Sequence, residues 1–317
     1  MTAPPARPDL PPITFRTAAA DDVPDCAQIW RTAVNDYIEP LGQAPVPDDL
    51  TIISRLYAHL HASDPERFVV AVVSDPTAPG SERVVAFTVA VVRGHVWFLS
   101  MLFVLPGFQG RGLGRDLLQR VLPDPAAGFA RATGTDSAQP ISNALYSTFG
   151  IVPRMPLINL VGLADRPEAF GDLPSGVSPL ATDGGPEATG AIDALDRELL
   201  GVDRAIDHGW LRDQSRWAWL YRGPDGGLLG YGYTSESGRL GPVLVRDPAL
   251  LGPVFGHLTA AVQPRGAFLT WIPGGADRAL VPALQAGFRI EPFPVLLCWD
   301  RPPMDFSRYL PISPGLL

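Results

Sequence analysis

The residues best suited to chemistry lie in a glycine-rich turn at 106–115, which reads Pro-Gly-Phe-Gln-Gly-Arg-Gly-Leu-Gly-Arg. The turn follows an apolar run at 96–105, typical of a strand, and leads into a helical pattern that ends near Leu122. Amides in the first turn of a helix have no partner inside the helix and attract anions, and glycines let a phosphate approach the backbone. Because Arg111 and Arg115 add positive charge, the turn predicts a phosphate-binding site.

This spacing excludes two common classes of phosphate-binding protein. It is not Gly-x-Gly-x-x-Gly, and no Gly-Lys-Ser/Thr follows, so a dinucleotide-binding fold and a P-loop are disfavoured. The chain contains no lysine, and its 25 basic residues are all arginine. Schiff-base and pyridoxal chemistry are therefore excluded, since both require a lysine.

A second segment, at 139–151, reads Gln-Pro-Ile-Ser-Asn-Ala-Leu-Tyr-Ser-Thr-Phe-Gly-Ile. Gln-x-x-Gly-x-Gly at 109–114 resembles motif A of the GCN5-related N-acetyltransferase (GNAT) superfamily, and the segment at 139–151 resembles its motif B. Ile151 stands where that family has an aromatic residue. The two motifs and the order of elements extend the resemblance over Ile13–Val161.

The resemblance implies that acetyl-CoA is the cosubstrate and that no metal is needed. By position, the strand residues Leu102, Phe103 and Val104 would bind the pantetheine arm. The CoA pyrophosphate would be held by Gln109, Gly110, Arg111, Gly112, Leu113, Gly114 and Arg115. Either Asn143 or Gln139 would contact the CoA arm, and Tyr146 would protonate the leaving thiolate.

The general base is left open by the sequence. The family often places a carboxylate on the strand that carries Leu102 and Val104, but the run at 95–101 has no acidic residue. His95, a water relay, Glu39 and Glu66 are the alternatives. The implied reaction is transfer of an acetyl group to the amine of a small molecule by direct attack. The alternative is a non-catalytic acyl-CoA-binding or regulatory module.

The second half repeats the order of elements but loses the motifs. Its strand-to-helix turn at 245–252 has no Gly-x-Gly, and Asp247 would repel a pyrophosphate. The segment at 283–288 resembles the end of motif B without its tyrosine. We therefore expect a degenerate second copy, with CoA binding confined to the first half. The polar stretch at 203–211 is interpreted either as a wall of the acceptor pocket, with Asp207 and His208, or as an ordinary loop with a buried Trp210.

The predicted fold class is α/β (α+β), with two tandem GNAT-like domains, each a mixed, mostly antiparallel sheet flanked by helices. The domains are placed at 1–163 and 187–317, with a linker at 164–186. Strands are expected at 13–17, 68–73, 84–93, 96–105, 128–133, 155–161, 228–234, 239–245, 267–272 and 293–299. Helices are expected at 23–34, 47–61, 109–122, 141–148, 187–200, 248–262 and 276–286, and a loop at 74–81.

Composition bounds the partners and the compartment. The 317 residues carry a net charge of −8, which argues against nucleic acid or an anionic membrane surface. The two cysteines are 272 positions apart with no Cys or His cluster, as in a reduced cytosolic protein without structural zinc. No signal peptide or membrane span is recognised. We expect a soluble, cytoplasmic protein, a monomer or homodimer, with a small-molecule amine as its partner.

Overall fold

The computed structural model describes residues 11–75, 80–182 and 184–317. Contacts within it divide the chain into two compact units. The first unit comprises the described residues up to Val91 together with Leu99–Asp124, and the second comprises Val92–Phe98 and Pro125–Leu317. Each unit is described by itself.

In the first unit, strands β1 to β4 follow one another as neighbours in the sheet, and β2 pairs antiparallel with both β1 and β3. The strands are β1 (Thr14–Thr17), β2 (Phe68–Ser74), β3 (Glu82–Arg93) and β4 (Val96–Val104), of which the adjoining ends of β3 and β4 fall in the second unit. The helices are α1 (Val23–Ile38), α2 (Thr51–Ser63) and α3 (Leu113–Val121).

The core of the first unit explains why its strands were readable from sequence. Residues 68–73 of β2 and 84–91 of β3 are buried without interruption, which produces the continuous apolar runs of strands covered on both faces. Tyr57 of α2 packs edge-on against the rings of Phe68 and Phe87, 6.4 and 5.3 Å away. The strands and helices of this unit lie within a few residues of their predicted bounds. Positions 76–79 of the predicted loop lie outside the described residues.

The second unit carries the remaining elements. Its strands are β5 (Ala130–Asp136), β6 (Val152–Gly162), β7 (Ser178–Thr182), β8 (Trp217–Arg222), β9 (Leu228–Thr234), β10 (Val243–Val245), β11 (Phe268–Pro273), β12 (Arg289–Ile290), β13 (Val295–Trp299) and β14 (Tyr309–Leu310). Its helices are α4 (Pro140–Ser147), α5 (Pro186–Leu199), α6 (Ala205–Asp213), α7 (Leu251–Ala261) and α8 (Asp277–Ala286).

Strand β13, from near the end of the chain, lies between β5 and β6 and pairs antiparallel with both. Leu296 stands opposite Thr135 on one side and Pro156 on the other. Because of this insertion, residues 125–163 cluster with the C-terminal half of the chain, although the sequence assigns them to the N-terminal domain. The domain bounds drawn from sequence, 1–163 and 187–317, stay a prediction about two duplicated folding units.

The other strands of the second unit form a sheet in the order β14-β10-β9-β8-β7. The predicted linker at 164–186 is not a featureless connection, because it supplies edge strand β7. Its Phe170 is also buried and stacks on Phe255, with ring centroids 5.1 Å apart. The predicted strand at 239–245 is reduced to β10, because Gly241 has a φ of 114° and Pro242 follows it. Strand β8 and helix α6 were not predicted from the sequence.

Candidate functional site

The glycine-rich turn joins β4 to α3 in the first unit. A short 3-10 helix at Pro106–Phe108 buries Phe108, and the Gln109 side chain turns back to donate from Nε2 to Val104 O at 2.9 Å. Gly110 and Gly112 have φ values of 72° and 86°, in the left-handed region that side-chain-bearing residues rarely adopt. Helix α3 therefore begins at Leu113 rather than at Gln109, since these two residues cannot continue a right-handed helix.

The start of α3 has no side chain that caps its first backbone amides. Gly112 is the N-cap residue with no capping side chain, and the first bond of the helix runs from Asp116 N to Gly112 O at 3.0 Å. The amides of Leu113 and Gly114 thus have no acceptor inside the helix. A Cβ placed on Gly112 would meet no atom of the described residues within 4 Å, so the space beside it is open.

The charge around this turn is positive on more than one side. Arg111 is half-buried and Arg115 is exposed, as the sequence implies for residues of the turn itself. The Arg83 guanidinium of β3, which the sequence did not single out, lies 5.8 Å from the centroid of the Phe108 ring. Leu113 is buried and anchors the helix start. Together with the positive end of the helix dipole, these groups make the turn suited to an anion.

The C-terminal end of β4 contacts both the glycine-rich turn and β3. Leu102, Phe103 and Val104 are all half-buried, and the Phe103 ring lies 5.8 Å from that of Phe87. Their pairing with a pantetheine arm stays a prediction. The bond from Gln109 to Val104 O means that the predicted pantetheine strand and the predicted pyrophosphate turn are brought together within the first unit.

The other predicted contact residues lie in the second unit, where β5 turns into α4. Asn143 Nδ2 donates to Asp136 O at 3.0 Å and to Gln139 O at 2.9 Å, so its two amide hydrogens close the turn. Its Oδ1 is buried and has no hydrogen-bond partner among the described residues. Gln139 is the N-cap residue of α4. Asn143 thus organises this turn, and a contact with CoA stays a prediction for both residues.

Tyr146 lies one turn further along α4 and is only 4% exposed. Burial raises the pKa of its phenol well above the usual range, and a hydrogen bond with the Ser142 side chain opposes that shift only in part. The hydroxyl therefore keeps its proton at neutral pH. Ser142 stands four residues before Tyr146, a spacing that faces it on a helix and that the sequence analysis did not use.

The candidate bases lie at separate places in the fold. His95 lies in the turn before β4, at the opposite end of that strand from Leu102–Val104, and its Nδ1 is 2.9 Å from Gly201 O. Glu66 is exposed and forms an ion pair with Arg67. Glu39 is exposed at the end of α1. The contact with Gly201 O engages one of the two ring nitrogens of His95, and the role of base stays a prediction for all three residues.

The interpretation of the stretch at 203–211 as an ordinary loop is wrong, whereas its role as a wall of the acceptor pocket stays a prediction. Most of the stretch forms α6, and Asp207 and His208 are fully buried rather than on a loop surface. Asp207 accepts two hydrogen bonds from Arg93, at 2.7 and 2.8 Å. Trp210 is half-buried. The sequence could not show this, because charged residues in a short helix ordinarily indicate an exposed face.

His208 belongs to a buried polar cluster on which α5, α6 and β9 converge. Asp196 Oδ2 lies 2.8 Å from His208 Nε2 and accepts from Arg204 Nε at 2.7 Å, while Oδ1 accepts from the Tyr231 hydroxyl at 2.6 Å. Burial alone would raise the pKa of Asp196, but the charge of Arg204 and the bond with His208 outweigh it and hold that pKa below its usual range. The cluster is fully paired and has the character of a structural core.

Two further features concern metal binding and membrane-spanning helices. Within residues 11–75, 80–182 and 184–317, no group of three His, Cys, Asp or Glu side chains could hold a metal ion. No helix in the described part of the chain is both long and apolar enough to cross a lipid bilayer.

The turn of the second unit that corresponds by order to the glycine-rich turn follows β10. Asp247 Oδ1 accepts from Ala249 N at 2.9 Å and caps a 3-10 helix at Pro248–Leu250 that runs into α7. A Cβ on Gly252 would lie 3.1 Å from the carbonyl oxygens of Phe170 and Arg278. This helix start is therefore closed by its own carboxylate and by packing.

The chain is similar to known proteins in part of its sequence and in its fold. Residues 26–151 match the model of the acetyltransferase (GNAT) family. A Pyrococcus horikoshii protein described as an acetyltransferase is similar over 96% of this chain and 95% of its own, with a TM-score of 0.72 and 16% identity. A GCN5-related N-acetyltransferase from Sphaerobacter thermophilus is similar over 94% and 100%, with a TM-score of 0.59 and 18% identity.

A tandem GNAT protein from the clavulanic acid biosynthesis pathway is similar over 92% of this chain and 99% of its own, with a TM-score of 0.53 and 17% identity. Comparison with curated protein sequences gives no match. At these identities the solved structures establish the fold, a mixed α/β fold shared with tandem GNAT proteins. The match over residues 26–151 shows that this part of the chain is similar to the GNAT family, whose members transfer acyl groups and generally use acetyl-CoA.

Proposed function

We propose that the chain is an acetyl-CoA-dependent N-acetyltransferase that acts on the amine of a small molecule. The observation that carries the proposal is the start of α3, where the left-handed Gly112 leaves open space beside the amides of Leu113 and Gly114. A residue with a side chain at position 112 would fill that space. A residue in the right-handed backbone conformation would change the direction of those amides. The turn therefore fits the pyrophosphate of CoA, with Arg83, Arg111 and Arg115 as the cations around it.

Each proposed residue has a defined task. Bound acetyl-CoA supplies an acetyl thioester, which is open to attack by a neutral amine. The backbone of Leu102–Val104 orients the pantetheine arm, and the amides of the turn bind the pyrophosphate. Tyr146 holds a proton on Oη through the neutral range, as a tyrosine does at its ordinary pKa, and burial raises that pKa further. It can therefore act as the general acid.

A Tyr146→Phe substitution tests the catalytic assignment. Loss of a general acid lowers kcat by about 10²–10⁴-fold, while the Kd for acetyl-CoA measured by calorimetry stays unchanged, because the phenol ring is kept. The matched control is Tyr221→Phe, which removes another buried hydroxyl from the second unit, one that bonds to His257 at 3.0 Å and has no proposed task. An equal loss of kcat in both variants would point to a general packing effect and contradict the role of Tyr146.

A non-catalytic acyl-CoA-binding module is the second candidate, and two observations favour it. Tyr146 is almost completely buried, and the strand that carries Leu102–Val104 has no acidic side chain. The two functions are separated by measuring thiol release with a panel of primary amines. If acetyl-CoA binds stoichiometrically but no amine causes release of the CoA thiol, the result supports the non-catalytic binding module. Release of the CoA thiol that depends on an amine supports the enzyme.

A further inference from the structure

Two arginines, Arg216 and Arg239, lie at one end of the second unit's β14-β10-β9-β8-β7 sheet. Arg216 immediately precedes β8, and Arg239 follows the turn after β9. The register places Trp217 opposite Thr234, so the chain that enters β8 lies beside the chain that leaves β9. Arg216 Nη1 donates to Gly241 O at 2.5 Å, which brings its guanidinium to within two residues of Arg239 along the chain.

The backbone of Arg239 is held firmly, whereas its side chain is not. Its N–H donates to Ser235 Oγ at 3.1 Å, the same hydroxyl lies 3.3 Å from its carbonyl oxygen, and the next residue donates from Leu240 N to Leu269 O at 3.1 Å. Among the described residues, no group accepts a hydrogen bond from the Arg239 guanidinium, and no carboxylate lies within 4.0 Å of it or of Arg216. Both side chains are half-buried.

Two other buried arginines of this unit each have a carboxylate partner, which Arg216 and Arg239 lack among the described residues. Arg93 has Asp207 at 2.7 Å, and Arg204 has Asp196 at 2.7 Å. The acidic residue nearest in sequence to Arg239, Glu236, is instead paired with the exposed Arg265 at 3.1 Å. Each guanidinium has five N–H donors, and the pair uses one of its ten on an acceptor in the described chain.

The environment disfavours two positive charges. Burial, and then the charge of Arg239, lower the pKa of Arg216 to about 9, and burial lowers the pKa of Arg239 as well. Removing a charge from water without a partner costs free energy, and two like charges add to that cost. An arginine fork matches the oxygens of a carboxylate or phosphate, so a bound anion would offset both penalties.

We propose that Arg216 and Arg239 bind an oxyanion, a carboxylate or a phosphate carried by a small-molecule ligand of the second unit. The Gly241 carbonyl positions Arg216, and the turn closed by Ser235 positions Arg239. The residues of this site all lie in the second unit, whereas the proposed pyrophosphate turn lies in the first.

The test measures the thermal unfolding of the full chain at constant ionic strength while chloride is replaced by inorganic phosphate, or in a second series by acetate. All proteins carry Gly112→Glu, so that the glycine-rich turn does not contribute. The protein with both arginines should gain Tm with one of the two anions, since a ligand that binds only the folded state stabilises it. Arg239→Gln should remove about nine-tenths of that gain. A gain with phosphate or with acetate identifies the source of the oxyanion.

Arg265→Gln is the matched control, since it removes one arginine whose side chain is 82% exposed, and it should keep the full gain. In chloride alone, Arg239→Gln should unfold at the same temperature as its parent or higher, because it removes an uncompensated charge. Equal gains with and without Arg239, no gain with either anion, or a lower Tm of Arg239→Gln in chloride would each overturn the proposal.

Discussion

The chain contains the same strand-turn-helix step twice, and the two helix starts are built in opposite ways. After β4, Gly110 and Gly112 take left-handed conformations, and the space beside Gly112 is open among the described residues. After β10, the Asp247 carboxylate accepts from the backbone, and Gly252 is packed against two carbonyl oxygens. The first step leaves the start of its helix without a capping side chain, and the second has a capping carboxylate and a packed Gly252.

The fold and anion binding place different demands on the start of a helix. A helix can follow a strand whether its first amides are capped from within or left open, so the fold does not depend on the glycines. Anion binding does depend on them, because a carboxylate at the turn both occupies an amide and repels phosphate. The second step therefore keeps the strand-turn-helix order without the open turn that we propose binds the pyrophosphate.

The interiors of the two units also differ in how their helices are packed. In the first unit, α2 packs on the sheet through Tyr57 against Phe68 and Phe87. In the second unit, α5 and α6 meet through charged and hydrogen-bonded groups centred on Asp196 and Arg204. Stability in the second unit should consequently depend on ionisation more than in the first.

The largest expected effect comes from closing the open turn. Gly112→Glu forces a side chain into a left-handed position, at a cost of about 1–2 kcal/mol, and adds a negative charge beside the pyrophosphate. Acetyl-CoA binding measured by calorimetry should weaken by about 100-fold or more, which corresponds to about 2.8 kcal/mol.

Gly42→Glu controls for strain and charge alone. Gly42 has a φ of 72°, and its Cβ would also meet no described atom within 4 Å, but it lies in the loop after α1. It should leave acetyl-CoA binding unchanged. Equal weakening in both variants would show that the turn at 109–115 is not the binding site.

The second effect concerns the charged interior. Asp196→Asn leaves Arg204 buried without its carboxylate and should lower the free energy of unfolding by about 3–5 kcal/mol, as measured by urea denaturation. The control is Glu198→Gln on the same helix, an exposed residue paired with Arg246 at 2.6 Å, which should lower the free energy of unfolding far less because solvent screens the pair.

The same residue predicts the pH dependence of stability. Because the pKa of Asp196 is held below its unfolded value, its contribution is fully present above about pH 3.9 and is lost as the pH falls towards the folded pKa. Asp196→Asn should flatten that part of the stability curve. An unchanged acid limb would contradict the assignment.

The smallest effect comes from opening the closed turn. Asp247→Ala removes the bond to Ala249 N and should lower the free energy of unfolding by about 1 kcal/mol. It should not create a second CoA site, since the carbonyl oxygens of Phe170 and Arg278 still cover Gly252. Calorimetry should give one acetyl-CoA per chain before and after the change, and a second equivalent in the variant would contradict this account of the turn.

Local order was readable from the sequence wherever a residue type dictates its own backbone. The sequence predicted a glycine-rich turn after β4 and the strands β2 and β3, although it began the following helix at Gln109 and not at Leu113. The turn and the strands depend on a few neighbouring residues, which is why the sequence was sufficient for them. The roles that the family motifs imply for Leu102–Val104 and Tyr146 stay predictions.

Tertiary structure decided what depends on residues far apart in the chain. The position of β13 between β5 and β6, the burial of His208 beside Asp196, and the absence of a carboxylate beside Arg239 among the described residues are examples. A periodic pattern reports which face of an element is apolar, but not which distant partner covers it. Whether a charged side chain is paired, solvated or left for a ligand is therefore fixed only when the chain folds.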